Sequence, residues 1–595
     1  MTFRWTISRI LLACAAVALV PGAAWAEKTS RTDPLLAGLL RLFPGADANR
    51  DGVLTESEAR AYKKKMDEEA KKPAPPDATG QKGKVQTIMV AMRDGVKLAT
   101  DIWVPPGPGP YPAVVHRTPY SRKPAMLAAI PGAIAVPCAV VTQDMRGLFD
   151  SEGRFDFFND DINDGFDTVE WVARQAWCTG KVAITGASGP GIASKLALIA
   201  NPPHLVCAAT SVAASDVYLH AAYSGGVLRA NMHDRWLRER GVKIDEWPKP
   251  RTRPYDKELQ ARALPANAAR NHVALYDIAG WYDIFLQSAL DDFCSLKKRG
   301  QVRIVVGAFG HGPIGGLKYP ANSKPNERLL DWMVHFLVDS RRNVPPMPPV
   351  LYYLMGDTKT PGSPGNCWKY ATDWPIPHTD RGYFLHPSGE LALSSPAQGG
   401  QLSYKYDPHD PVPTVGGANL YLAKGPMDQK ELASRQDILR FQSDPLREPL
   451  EVTGRLTLEL YVSTDVPDTT FMAKLIDVYP DGMQALVQDS AVMARYHKGL
   501  DKPEPLDKDK VYKLTIDLWS TALVFNRGHR IAVHVTSSNS PRYEVHPNSY
   551  DPVMSFDNAP VANQTIHMSR EHPSRLILPV ISPGVSRNYP GGAAQ

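Results

Sequence analysis

The sequence predicts an α/β domain on a mostly parallel sheet, followed by an antiparallel β-sandwich and preceded by a small helical module. Three observations predict it. From Val85 to about Val212, apolar runs of strand length alternate with helical patterns, which implies parallel strands joined by crossover helices. One run, Lys181 to Ile184, drives straight into a glycine-flanked serine. Beyond the proline-rich stretch 344–349, short alternating runs such as Arg455 to Val462 read as half-buried strands.

The first 26 residues read as a secretory leader. Arg4 and Arg9 form its charged region, Ile10 to Val20 its apolar core, and Ala24-Trp25-Ala26 a small-residue cleavage site. The core is too short to span a bilayer, and no later segment is long and apolar enough. The mature chain is therefore expected in the periplasm or outside the cell. Its formal charge of +5, less the two leader arginines, is +3, too weak a balance for nucleic acid or a membrane surface. Cleavage leaves Cys138, Cys178, Cys207, Cys294 and Cys367 of the chain's 6 cysteines. No C-x-x-C spacing occurs, so no zinc site is expected, while an oxidising compartment permits one or two disulfides.

Residues 27–72 form the next unit. Asp47-Ala48-Asn49-Arg50-Asp51-Gly52-Val53-Leu54-Thr55-Glu56-Ser57-Glu58 fits a twelve-residue calcium loop at each diagnostic position. Oxygens would come from Asp47, Asn49, Asp51, the Val53 carbonyl and Thr55, with Glu58 closing the site. Gly52 permits the sharp turn, and Leu54 is the apolar position that pairs with a neighbouring loop. A leucine-rich helix (35–43) precedes and a charged helix (56–72) follows, which makes an EF-hand with Ca2+ as a structural ion remote from the chemistry. Only one loop is present. A proline- and glycine-bearing linker spans 73–84.

The catalytic domain is expected over 85–343. Gly186-Ala187-Ser188-Gly189-Pro190-Gly191 lies between a strand and a small-residue helix, the pattern of a nucleophile elbow. An elbow serine predicts an acid and then a histidine downstream. The strand-like run from His272 ends at Trp281-Tyr282-Asp283, and Val302 to Gly307 leads to His311. Alone, Asp283 would serve as a helix cap and His311 as a loop residue. Together, Ser188, Asp283 and His311 stand in α/β-hydrolase order, each at the end of an expected strand. The Gly189 N–H supplies one oxyanion donor, and Tyr120, at the tip of the strand-like run from Pro112, offers a second. No cofactor is needed for this chemistry. From 213 to 270 the β-pattern stops, and a short helical cap carrying Tyr223, His233 and Trp236 is expected over the site. Its brevity predicts an open cleft. The sandwich is expected over 344–595.

These residues resemble the cocaine esterase / X-prolyl dipeptidyl-peptidase (CocE/NonD) family of serine hydrolases. The elbow matches that family's Gly-x-Ser-Tyr-x-Gly except at Gly189, and loss of the tyrosine ring predicts a roomier site. Arg117 to Tyr120, Gln143 to Gly147, Asp164 to Trp171 and Gly280 to Asp283 also match. Gly307 to Gly312 matches a histidine motif with its Pro and Trp missing. The resemblance implies a jelly-roll topology for the sandwich, Tyr120 as an oxyanion donor, and cleavage of esters, amides or X-Pro peptides. Ile284, Phe285 and Leu286 follow Asp283 where α-amino-acid ester hydrolases carry two acids. That favours an ester over an amide or X-Pro peptide, and an acyl group without a charged amine. From another class, a non-catalytic calcium-dependent binding module would keep the fold without the activity.

Overall fold

The structure, a computed structural model, describes residues 29–32, 36, 40, 46–69, 83–244, 251–299, 301–320, 323, 329–338, 347–550 and 556–589. The leader, most of the helix expected at 35–43 and most of the linker lie outside the described residues. The chain divides into two compact units, Met1–Pro75 and Pro76–Gln595.

In the first unit, Leu36 and Leu40 are helical and helix α1 spans Glu56–Glu69. Thr55 and Glu58 cap it reciprocally. The Thr55 N–H donates to Glu58 Oε2 at 3.0 Å, and the Glu58 N–H to Thr55 Oγ1 at 3.2 Å. Leu36, Ala46 and Leu54 form a small core.

The second unit is built on an eleven-stranded sheet. Its strands are β1 (Val85–Ala91), β2 (Lys97–Trp103), β3 (Tyr111–Thr118), β4 (Ala139–Asp144), β5 (Cys178–Ala187) and β6 (Leu205–Ser211). After a two-residue hairpin, β7 (Tyr223–Ser224) and β8 (Val227–Leu228), the sheet resumes with β9 (Ala274–Tyr282), β10 (Val302–Gly310), β11 (Val350–Leu354) and β12 (Cys367–Ala371). The order is β1-β2-β4-β3-β5-β6-β9-β10-β11-β12, with Arg587–Asn588 at the edge. The run from β4 to β11 is parallel. Central strands such as β9 are buried along their whole length, as a sheet covered on both faces requires.

Helices α2 (Arg122–Ala135), α3 (Asp161–Ala173) and α4 (Gly189–Ala200) connect the early strands. Between β6 and β9 the chain forms a π-helix (Val217–Ala222), the hairpin, α5 (Ala230–Arg238) and the short helices α6 (Lys257–Ala261) and α7 (Leu264–Asn267). Helices α8 (Leu286–Leu296) and α9 (Leu329–Leu337) follow.

The eleven-stranded sheet runs past the boundary expected at 344. β11 pairs in parallel with β10 through Ile304 and Val350, and β12 extends it, so the α/β layer continues to Ala371. The proline run lies between α9 and β11. Beyond it, two antiparallel sheets of seven and four strands share one core with the α/β layer. The permitted disulfides do not form: Cys138, Cys178, Cys207, Cys294 and Cys367 are all free, on separate elements.

A buried ionic lattice fixes the frame. Arg117 donates to Gln143 Oε1 at 2.8 Å and to Asp161 Oδ1 at 2.7 Å, and Arg146 pairs with Asp164 at 2.7 Å. Arg122 bridges Asp101 and Asp144. The motifs at 117–120, 143–147 and 164–171 thus hold β3, β4 and α3 together. Under α4, Lys195 Nζ donates to Ala213 O at 2.9 Å, Asp277 Oδ2 at 2.6 Å and Asp292 Oδ2 at 2.9 Å. Thr210 and Ser215 donate to the remaining carboxylate oxygens. Burial pushes both aspartates up and their contact with Lys195 opposes it.

Candidate active site

The turn after β5 places Ser188 at φ 59°, ψ −127°. A non-glycine residue there costs on the order of 1–3 kcal/mol and is held by its surroundings. The surroundings are glycine-built. A Cβ at Gly186 would lie against the Pro190 backbone, at 2.6 Å from Gly191 N. Strand and helix therefore approach closely enough to thrust the serine out of the turn.

Asp283 follows β9 and His311 follows β10, on the same edge. Ser188 Oγ lies 2.9 Å from His311 Nε2, and His311 Nδ1 lies 2.7 Å from Asp283 Oδ2. With the proton on Nδ1, the imidazole donates to the carboxylate and accepts from the serine. Asp283 is fully buried, and its other oxygen accepts the Phe285 N–H at 2.8 Å. Phe285 stands edge-on to the His311 ring at 5.7 Å. The three residues expected to converge do so.

Tyr120 follows β3, where its N–H donates to Thr118 Oγ1 at 3.0 Å. Its hydroxyl lies 2.9 Å from where a Gly189 Cβ would sit, so the phenol reaches the serine turn. It accepts a hydrogen bond from Trp236 Nε1 at 3.2 Å, which leaves its own proton free for another acceptor. Arg240 lies 3.6 Å over the Trp236 ring and 4.8 Å over the Tyr120 ring.

The expected openness is corrected. The space at Gly189 is taken by Pro119 and Tyr120; a Cβ there would meet Pro119 Cγ at 2.7 Å. Beside Ser188 remains a slot of about 30 Å3, walled by Phe157, Phe158, Met232, Trp236, Ile284 and Phe285. That admits about two waters. Phe158 stacks on Trp236 at 5.4 Å, and Phe157 stands edge-on to His233 at 5.1 Å. Both phenylalanines have positive φ, 32° and 66°, a further strained pair at the site.

Of two supports at the site, one was not singled out in the sequence and the other was expected in the cap without its partner. Arg229, almost wholly buried, donates to Ile284 O at 2.9 Å and His220 O at 2.7 Å, fixing the chain just after Asp283. Burial, with Arg542 nearby, pushes its pKa down to about 10. Trp236 is the other. Neither lies in a periodic run; both sit in the segment where the β-pattern stops.

The loop at 47–58 lies in the other unit. The Gly52 N–H donates to Asp47 Oδ2 at 2.8 Å, Asp51 N–H to Asn49 Oδ1 at 2.9 Å, and Val53 N–H to Asp51 Oδ1 at 2.8 Å. Thr55 Oγ1 donates to Glu58 Oε2 at 2.9 Å. Hydrogen bonds from Thr55 hold the Glu58 carboxyl below its usual range. Asp47 Oδ1 is buried without a partner, and Gly52 takes φ +79°. Leu54 is held to Ser30 by two hydrogen bonds: the Ser30 N–H donates to Leu54 O at 2.7 Å, and the Leu54 N–H to the Ser30 side-chain Oγ at 2.9 Å. Thr29 also forms an antiparallel bridge with Thr55. Among the described residues, no three His, Cys, Asp or Glu side chains converge as a metal cluster.

Among the described residues no helix is long and apolar enough to cross a membrane. The parallel sheet, the elbow and the hydroxyl–imidazole–carboxylate row define a serine hydrolase of α/β-hydrolase type. The X-Pro dipeptidyl-peptidase (S15 family) pattern matches residues 94–252, and the X-Pro dipeptidyl-peptidase C-terminal non-catalytic domain matches 343–577. The chain is 31% identical to cocaine esterase of Rhodococcus sp. (strain MB1 Bresler) over 575 residues, 83% of this chain and 98% of that protein. An aminopeptidase from a marine sediment Thaumarchaeota archaeon superposes with a TM-score of 0.70 at 25% identity, over 87% of this chain and 100% of that one. An α-amino acid ester hydrolase shares the fold, with a TM-score of 0.72 at 23% identity, over 86% of this chain and 100% of that one. The chain belongs to the CocE/NonD-type, X-Pro dipeptidyl-peptidase S15 family, and it is a serine hydrolase that cleaves ester or amide bonds.

Proposed function

We propose that the enzyme is a carboxylic ester hydrolase for acyl groups that are apolar beside the scissile carbonyl. The observation that carries this is the slot. Its wall around Ser188 is mostly aromatic and aliphatic, and among the described residues no carboxylate lines it to grip a substrate ammonium. In the mechanism, Ser188 Oγ attacks the acyl carbon as its proton passes to His311 Nε2. Asp283 holds the Nδ1 tautomer and stabilises the imidazolium. The carbonyl oxygen takes up negative charge between the Gly189 N–H and the Tyr120 hydroxyl. Collapse breaks the bond to the alkoxy oxygen, which leaves with the proton from His311. Water then attacks the acyl-enzyme with the same base, releasing the acid and restoring Ser188.

The test is a 4-nitrophenyl butyrate assay of the wild type and Ser188→Ala, beside X-Pro and acyl 4-nitroanilides. The ester should be preferred and the variant inactive. Equal rates in wild type and variant reject the enzyme reading, and preference for X-Pro anilides moves it to a dipeptidyl-peptidase.

The loop at 47–58 reads as a structural Ca2+ site in an EF-hand. Supporting it are the unpartnered Asp47 oxygen, the left-handed Gly52 and the Leu54 pairing. Asp47, Asn49, Asp51, the Val53 carbonyl, Thr55 and Glu58 would supply the oxygens. The leader at 1–26 makes the hydrolase periplasmic or secreted, which fractionation of the native host checks.

A further inference from the structure

We infer that Phe157 is a gate that sets the length of acyl chain the enzyme accepts. With the ring in place the slot takes short acyl groups; with it gone the slot opens into a second cavity. This rests on the ester-hydrolase reading above and deepens it. The slot beside Ser188, about 30 Å3, has room for about two water-sized groups, and so for an acyl chain up to about butyryl. A cavity of about 510 Å3 lies next to it. Phe157, Phe158 and His233 line both, so these three side chains form the shared wall.

The three are not held equally. Phe158 is buried and stacks at 5.4 Å on Trp236, whose indole N–H donates to the Tyr120 hydroxyl. His233 Nδ1 lies 3.0 Å from Asp234 Oδ1, and Asp234 is paired with Arg251 at 2.5 Å. Phe157 is half-buried and has no polar atom to anchor its side chain. Its ring stands edge-on to His233 at 5.1 Å, to Phe158 at 5.8 Å and to Trp236 at 5.8 Å. Such ring contacts are weak beside a buried ion pair, and no hydrogen bond breaks when the ring turns away. Phe157 also sits at φ 32°, a conformation that side chains avoid. Strain of this kind persists where the surroundings over-determine it, and it clusters at active sites and ligand clamps.

Beyond the gate the cavity offers an apolar path. Leu196, Tyr218, Ala222, Tyr223, Leu228 and Leu259 line it, and Tyr218 stacks between Tyr223 at 4.5 Å and Tyr255 at 5.0 Å. The charged groups of its wall are engaged within the protein or face solvent. Arg251 pairs with Asp234 and Glu544, and Asp216 accepts from the Leu219 N–H and the Tyr255 hydroxyl. Arg262 donates to the Asn159 carbonyl, and Arg253 and Asp156 are exposed. The cavity therefore selects by room and not by charge. A methylene that finds apolar wall there is favoured about fourfold. One that finds none in the closed slot is rejected about tenfold or more.

The experiment measures kcat/KM for 4-nitrophenyl acetate, butyrate, hexanoate and octanoate in the wild type, Phe157→Ala and Phe157→Gly. Glycine adopts φ 32° without strain, so Phe157→Gly removes the ring and eases the backbone at once. The readout is the ratio of octanoate to butyrate, which cancels any loss common to both esters. We expect butyrate to exceed octanoate by about tenfold or more in the wild type, and the ratio to rise by about tenfold in both variants. Leu259→Trp in the Phe157→Ala background refills the cavity and should return the ratio to its wild-type value, which a generally loosened site would not show. A parallel series lengthened in the alcohol half, from methyl to octyl butyrate, should keep its wild-type ranking in both variants. Octanoate preferred by the wild type overturns the inference, as does a ratio unchanged in both variants. A gain that survives Leu259→Trp, or a shift confined to the alcohol series, overturns it too. The same shift in acyl 4-nitroanilides, in a protein that turns over no ester, supports the gate and rejects the ester preference alone.

Discussion

The oxyanion assignment is open to a four-member test with Tyr120→Phe, Trp236→Phe and their combination. Tyr120 is 43% exposed and accepts from Trp236 at 3.2 Å. Removing an oxyanion donor costs about 2.7–4 kcal/mol in a water-excluded site. Solvent at this phenol places Tyr120→Phe at the low end, a fall of about 100-fold in kcat with KM little changed. The Trp236 hydrogen bond is neutral and worth about 1 kcal/mol, so Trp236→Phe should lower kcat about fivefold through this bond. The indole also walls the slot, and that loss of packing is common to both backgrounds. The double-mutant cycle isolates the rest. With the phenol gone, the indole N–H has nothing to orient, and Trp236→Phe should show only its packing effect. The assay is steady-state kinetics on 4-nitrophenyl butyrate. Tyr120→Phe within about threefold of wild type refutes the donor role. An equal cost for Trp236→Phe in both backgrounds refutes the coupling.

Two further perturbations follow from the same geometry. Lys195→Met leaves Asp277 and Asp292 buried without their cation and should cost about 3–5 kcal/mol of unfolding free energy. Both carboxyls already titrate above their unfolded value, and loss of the cation raises them further. A raised folded pKa favours the native state below the unfolded pKa and loses that contribution as pH rises through the folded value. The variant's urea midpoint should therefore fall from pH 5 to pH 8 relative to wild type; a parallel pH profile rejects the account. At the N-terminal loop, millimolar Ca2+ should protect 29–69 from proteolysis, and Tb3+ bound in its place should show aromatic-sensitised emission that Ca2+ displaces, with both effects lost in Asp47→Ala and ester turnover unchanged. Terbium emission retained in Asp47→Ala rejects the loop as the ion site.

The triad was legible because its signals are local. A strand, a glycine, a serine and a helix fall within about a dozen positions, and Asp283 and His311 each close an apolar run that can only be a buried strand. What could not be read depends on which distant surfaces meet. Gly189 promised room because a ring is missing beside the serine; Pro119, Tyr120 and Trp236 fill that room from other segments. Trp236 and Arg229 lie where periodicity is weak, and nothing in their neighbourhood marks a phenol or a carbonyl as partner. Val350 to Leu354 has the length and composition of a sandwich strand, and only pairing with β10 assigns it to the α/β layer. Asp277 looks like a polar interruption in β9 until Lys195, 82 positions earlier, is found against it.

The matched C-terminal family is described as non-catalytic, yet here the sandwich reaches into the site at several points. Leu420 walls the slot. Lys424 Nζ holds the Leu420 carbonyl at 2.9 Å, and Lys424 O accepts the Gly315 N–H at 2.8 Å, four residues beyond His311. Gln488 Nε2 donates to the Trp281 carbonyl at 2.9 Å, two residues before Asp283. Glu544 pairs at 2.8 Å with Arg251, in the segment between α5 and α6. Each contact positions backbone or side chains that flank the reacting groups, so the sandwich belongs to the active-site frame although no reacting atom comes from it. A chain cut after Ala371 would keep the whole eleven-stranded layer except its last edge strand, and lose the supports at 281, 315 and 420 together. Such a fragment should fail by loss of turnover even where the parallel sheet still forms. An active fragment would place the hydrolase machinery wholly within the α/β layer, against the contacts described.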